Sequence, residues 1–341
     1  MLTNYLKIAW RNLLRNKAFS AINIVGLAIG LATCLLISLF VLDELSYDRF
    51  NEKADRIVRV IFRGTMNGGQ IAEATVMAPT AQTIKTTYPE VEAATRLRLG
   101  GAALFSYKDK TFKENAIAFA DSTFFDVFTL PFRAGNPRTA LTRPNTVVIT
   151  QPVALKYFGT DDPIGKVLRI NGEPTTYTVT GLIDAIPTNA HFHVDFLLSM
   201  ANSPEATSTS WMSSNFYTYL VLPKGYDYKQ LEAKLPQLVS TYMGPQLQQA
   251  FRMSMAQFRK KGNSVGLFLQ PLTDIHLHSN LTSEIEPAGN VQYVYIFGAT
   301  ALFMLLIACI NFMNLSTAGA TKRAREVGIR KVMGSLKQAL V

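Results

Sequence analysis

Two long uncharged runs frame the chain. Ala18–Leu42 holds 25 consecutive residues without a charge, and a second uncharged run extends from Pro287 to Thr321 with its apolar centre between Tyr293 and Met313. At about 1.5 Å per residue, roughly 20 apolar residues cross the hydrocarbon core of a bilayer, so each run predicts a transmembrane helix. The alternative for each is a buried helix of a large soluble protein. A cleaved signal peptide does not suit the first run. It exceeds the usual apolar length of about 7–15 residues, and no small-x-small cleavage site precedes its acidic exit at Asp43-Glu44.

Between the runs the pattern changes to short strands and helices. Asp55–Arg63, Ala116–Phe119, Thr146–Thr150, Phe216–Leu222 and Gly266–Gln270 predict strands, and Glu90–Leu99 an extended segment. Val167–Asn171 and Thr176–Ile183 predict a hairpin turning at Asn171-Gly172. Helices are expected at Thr80–Thr87, Ser122–Phe128, Pro152–Tyr157 and Tyr228–Thr241, with a polar loop over 202–214. The fold class is therefore α+β: two transmembrane helices flanking a large mixed α/β extracytoplasmic domain. The divisions are 1–17, 18–43, 44–290, 291–316 and 317–341.

Both tips are amphipathic. Leu6, Ala9, Trp10, Leu13 and Leu14 share one helical face, opposite Lys7, Arg11 and Arg15, which suits a helix lying at the inner headgroup layer. Ile329, Val332, Met333, Leu336 and Leu340 recur at helical spacing in a second basic stretch, which suits either an anionic lipid surface or a cytoplasmic partner.

Charge settles the orientation. The net charge of +10 could suggest nucleic acid, but residues 1–17 carry four basic and no acidic groups, and residues 322–341 carry six basic groups against Glu326. The rest of the chain is nearly neutral. Basic flanks before the first span and after the second put both termini in the cytoplasm and 44–290 outside, and no nucleic-acid partner is expected. The charged fraction of 17% is low for a soluble protein, and the 2 cysteines, Cys34 and Cys309, lie inside the apolar runs.

Candidate chemistry is sparse. Gly159–Lys166 (GTDDPIGK) has one residue too many between its glycines for a phosphate loop, and Val167 replaces the hydroxyl that would hold magnesium. The 4 histidines form two H-x-H pairs, His191/His193 and His276/His278. On strands each pair would share a face and could chelate zinc with a third ligand from the other pair, Asp195 or Asp274; ordinary surface or core histidines are the alternative. No catalytic residue, metal ligand or cofactor site is assigned. Gly26 and Gly30 make a small-x-x-x-small step, a candidate helix-packing or dimer face.

The second span ends NFMNLS (Asn311–Ser316) and is followed by RAREVGIRKVMGS (Arg323–Ser335), which closely resembles the signature of FtsX-like permeases, including the permease parts of MacB-type ABC transporters. Tyr5–Lys17 (YLKIAWRNLLRNK), leading into Asn23–Gly30, is similar to the start of the same family. Tyr157–Lys166, Val179–Asp184 and Asp274–His278 resemble its periplasmic core domain, and the last implies structural histidines.

The resemblance implies an inner-membrane permease subunit that borrows ATP hydrolysis from a separate cytoplasmic ABC ATPase and passes the movement to a periplasmic domain (mechanotransmission) for efflux or export. It implies ATPase-facing residues at Arg323, Arg325, Glu326, Ile329, Arg330 and Lys331. It also implies a homodimer, or a pseudo-dimer with a second permease half, together with a periplasmic adaptor and an outer-membrane exit duct. The head is expected to divide into a porter-like unit and a smaller β-rich unit between about 100 and 205. Family permeases continue with at least two more spans, so these 341 residues are expected to be a fragment. Two other classes share the plan: a two-span sensor or chain-length regulator, and a membrane-anchored metalloenzyme built on the histidines.

Overall fold

The computed structural model describes residues 11, 17–170, 175–201 and 203–333. They divide into two compact units, the two long helices and Ser46–Asn290.

The helical unit is an antiparallel pair, Lys17–Leu45 and Val291–Val332. Within it Ile24–Leu45 and Val291–Met313 are long and apolar enough to span a bilayer, with mean hydropathies of 2.6 and 2.3. Leu36 and Tyr295 are about as exposed as side chains on a free helix, because large apolar groups point away from the partner helix as well as toward it. The contact is made by small residues. A Cβ on Gly30 would lie 3.3 Å from the Ala308 Cβ, and one on Gly26 would lie 3.4 Å from the Asn311 amide. Farther along, Phe40 meets Phe297 edge to face. The second helix continues without interruption through the expected boundary at 316/317. The amphipathic start, Leu6 to Leu14 with its basic face, lies outside the described residues except for Arg11.

The head is built on one mixed sheet. Its strands in chain order are β1 (Ile57–Met66), β2 (Gly69–Glu73), β3 (Val76–Met77), β4 (Ala93–Leu99), β5 (Ala103–Tyr107), β6 (Lys110–Glu114), β7 (Ile117–Ala120), β8 (Phe132–Gly135), β9 (Thr146–Thr150), β10 (Val167–Ile170), β11 (Thr176–Ile183), β12 (Phe196–Ser199), β13 (Ser214–Val221) and β14 (Ser264–Pro271). The spatial order is β14-β1-β13-β4-β7-β12-β9-β11-β10-β5-β6, with β2 on β1, β3 on β13 and β8 on β11. Among the described strands, β7–β12 and β9–β11 pair in parallel and the others antiparallel.

Alternation along β1 assigns the two faces. Val58 and Val60 join Leu220, Leu222, Leu267 and Leu269 under the helices Tyr228–Glu232, Leu235–Leu238 and Gly244–Phe251. Ile57 points the other way, with Tyr217, Tyr219 and Val221, into a core completed by Phe124, Phe128 and Phe192. The uninterrupted apolar run of β9 reflects cover on both faces: Val148 enters this second core, while Val147 and Ile149 enter a third around Tyr157 and Phe196.

Thr80–Thr87, β9 and Thr176–Ile183 occupy the expected ranges. The single helix expected over Tyr228–Thr241 is instead broken into Tyr228–Glu232, Leu235–Leu238 and a π turn at Val239–Met243. Pro236 lies in the first turn of a new segment, where its missing N–H does no harm but where an existing helix cannot continue through it. The Asn171-Gly172 turn lies outside the described residues. β2, β6 and β8 escape the pattern because they are short and half-exposed, and β12 because four buried residues show no alternation.

Candidate functional site

The head begins directly after the first long helix and ends directly before the second. Residues near its two ends are fastened to the sheet by two buried polar clusters. At the entry, Asp48 is fully buried in the left-handed region (φ 59), which a short polar side chain tolerates. Its N–H donates to the Asn189 carbonyl at 2.8 Å. Its Oδ1 faces the His191 Nδ1 at 2.8 Å, and the Tyr219 hydroxyl lies 2.7 Å from the His191 Nε2. With Nδ1–H donating to the carboxylate, Nε2 accepts from Tyr219, and burial holds the Tyr219 hydroxyl protonated by raising its pKa. Asn189 also donates to the Ser46 Oγ at 2.9 Å, and the Tyr47 ring stacks on His276.

At the exit, Arg59 performs the corresponding task. It pairs in register with Tyr219 on one side and Gln270 on the other, so all three side chains share a face. Its guanidinium meets both oxygens of Glu284, at 2.6 and 2.7 Å, and also donates to Gln270 at 2.7 Å and Ser279 at 3.1 Å. Ser279 in turn donates to Glu284. The Tyr217 hydroxyl donates to the Ser283 carbonyl at 2.7 Å. Burial first, then the Glu284 charge, pushes its pKa up to about 12.

The two clusters are suited to mechanical fastening. The hydroxyl on the Asp48–His191–Tyr219 line belongs to Tyr219, which is fully buried and held protonated, so it is not presented to a substrate. Removing any member would leave a buried polar group or charge without its partner.

The sequence candidates lie elsewhere. Gly159 (φ 66) closes the helix Gln151–Phe158. Lys166 is held by Asp161 at 2.9 Å, and the Ile164 N–H by Asp162, so Gly159–Lys166 is a self-satisfied turn. The strand geometry required for zinc is absent at both histidine pairs. Ile275–His278 is a helical turn, which sends i and i+2 side chains to opposite sides, and 191–193 lies outside regular structure. His193 is engaged by Glu286 at 2.7 Å and by the Pro187 carbonyl. Among the described residues no three His, Cys, Asp or Glu side chains are placed to hold a metal. Arg323, Arg325, Glu326, Arg330 and Lys331 fall on the helix Val291–Val332, but their side chains lie outside what is described; Ile329 is exposed. Gly26 and Gly30 face the second helix of the same chain.

Asp48, Arg59, Tyr219 and Glu284 were not singled out by sequence reasoning. One signal was available, an arginine on the core-facing register of an otherwise apolar strand, where an unpaired charge does not survive.

Residues 20–238 match the family model of the MacB-like periplasmic core domain. The chain is 23% identical over 270 residues to the uncharacterised ABC transporter permease YknZ of Bacillus subtilis, covering 77% of this chain. It spans about half, 54%, of the length of that curated relative. A crystallised domain of a candidate permease from Porphyromonas gingivalis superposes with a TM-score of 0.56 at 25% identity, over 72% of this chain and 98% of that domain. The periplasmic region of MacB from Actinobacillus actinomycetemcomitans is a more distant likeness, 13% identical with a TM-score of 0.41, over 65% of this chain and 91% of that one.

Proposed function

We propose, on the premise that this chain belongs to the MacB-like periplasmic core domain family and is a permease of the MacB/YknZ ABC-transporter type, that it couples ATP hydrolysis by a separate cytoplasmic ATPase to movement of its head, for efflux or export. The observation that carries this reading is the double fastening of the head. Its first residues are tied to the sheet through Asp48 and its last through Arg59, and Tyr219 and Arg59 are neighbours in register. A displacement reaching either end of the head would be delivered to one sheet row.

In this reading the inner membrane holds the two helices, both termini are cytoplasmic, and the ATPase engages Arg323, Arg325, Glu326, Ile329, Arg330 and Lys331. Two permease halves, an adaptor and an exit duct complete the assembly. Capture of a co-expressed ABC ATPase by the membrane-inserted chain tests the interface. Charge reversal by Glu326→Arg or Arg330→Glu is expected to reduce capture by about tenfold or more. Undiminished capture by both variants would dismiss the interface.

A further inference from the structure

On the face of the sheet that carries Arg59, β1, β2 and β14 enclose a second feature, an open groove of about 390 Å³. Its floor is backbone. Gly64 lines it with main chain alone, its Cβ direction being that of Val60 and Phe62 on the opposite face. Gly266 leaves room for the Phe268 ring, whose edge would lie 3.0 Å from a Cβ at that position. Phe268 is 38% exposed into the groove, and the Arg63 guanidinium lies over its ring at 6.0 Å.

The charge is one-sided. No Asp or Glu lines the groove among the described residues, and Arg63 has no carboxylate partner there. Thr65, Gln70 and Asn280 add polar groups at the rim. Of the two explanations, a solvated surface arginine accounts for Arg63 alone. It does not account for a glycine-floored concavity of ligand size that pairs a guanidinium with an exposed ring.

We propose that this groove is a binding site for a small amphiphilic carboxylate. The anionic head is held by the Arg63 fork, and the apolar body lies against Phe268 over Gly266. A carboxylate matches the two parallel N–H donors of a guanidinium, and a cation is excluded by the same charge. The site goes beyond the coupling reading and does not depend on it.

The test uses the whole chain in zwitterionic nanodiscs, with 4-(4-fluorophenyl)butyrate as probe, fluorine NMR as readout, and empty discs as reference. Saturable binding is expected, with the neutral 4-(4-fluorophenyl)butanol weaker by about tenfold or more, as for loss of one charge-assisted contact. Arg63→Gln should weaken the carboxylate by about tenfold while leaving the alcohol unchanged, and Arg63→Lys should recover only part of the loss. Phe268→Ala should weaken both probes; if that variant fails to fold by circular dichroism, Gly266→Ala, which crowds the ring, takes its place. Equal affinity for acid and alcohol, an unaltered Arg63→Gln, or no saturation up to about 10 mM would each overturn the proposal.

Discussion

Arg59 and Arg63 stand four residues apart on β1, on the same face of the sheet, and end in opposite environments. Arg59 is fully buried, with a bidentate carboxylate and two further acceptors, while Arg63 is exposed and rests on a single aromatic ring. What differs is the chain packed over them. Ser279 and Glu284 bring a hydroxyl and a carboxylate to Arg59, whereas the groove around Arg63 is walled by His278, Asn280 and Leu281. Two arginines in one strand pattern thus become a fastening and an open receptor. The alternation assigns a face to a residue; the crossing segment assigns its depth and its partner.

The contrast is broken most severely at Glu284. Glu284→Ala leaves the Arg59 charge buried without compensation and should destabilise the head by about 3–5 kcal/mol in urea unfolding of the detergent-solubilised chain. Replacing both partners, Arg59→Met with Glu284→Leu, should recover most of that loss. A single-variant loss below about 1 kcal/mol would mean that other groups already compensate the arginine. Tyr219→Phe strips His191 of one partner in a fully buried setting and should reduce stability by about 1–3 kcal/mol, with the midpoint lowered and the slope unchanged.

Alkaline pH probes the same fastening without mutation. The Tyr217 pKa rises from 10.0 to about 12 on folding, so the native state keeps this proton longer than the unfolded chain does. Its contribution is fully present below pH 10 and is lost as pH rises toward about 12. Stability measured across that interval should fall with pH, and less steeply in Tyr217→Phe; identical slopes would remove Tyr217 from the account. The smallest effect is expected at the other arginine. Arg63→Gln should change unfolding stability by no more than about 0.5 kcal/mol, because nothing buried depends on that charge. A larger loss would put Arg63 in the same structural class as Arg59.

Legibility followed the same division. The two apolar helices could be read directly, since length and lack of charge suffice to predict them: Val291–Met313 falls within the second run, and Ile24–Leu45 overlaps the first and passes three residues beyond Leu42. Thr80–Thr87 and β9 were legible because their patterns are local. The histidine pairs were not. H-x-H chelates only on an extended backbone, and Asp274–His278 coils instead, so that His276 meets Tyr47 while His278 lines the groove. The break at Pro236 was visible as a residue but not as an interruption, since proline is also acceptable in a first turn.

By itself, the sequence determined where the chain is apolar enough for lipid, where several strands and helices of the head lie, and, through its two membrane-edge motifs, the family. Only the tertiary structure decided that Asp48, His191 and Tyr219 form one buried cluster, that Arg59 and Glu284 form another on the neighbouring strand position, and that Arg63 joins neither. Those partners are separated by 143, 28 and 225 positions along the chain. Local periodicity reports on the next few residues, whereas the partner of a buried charge is set by which distant segment the sheet topology lays across it.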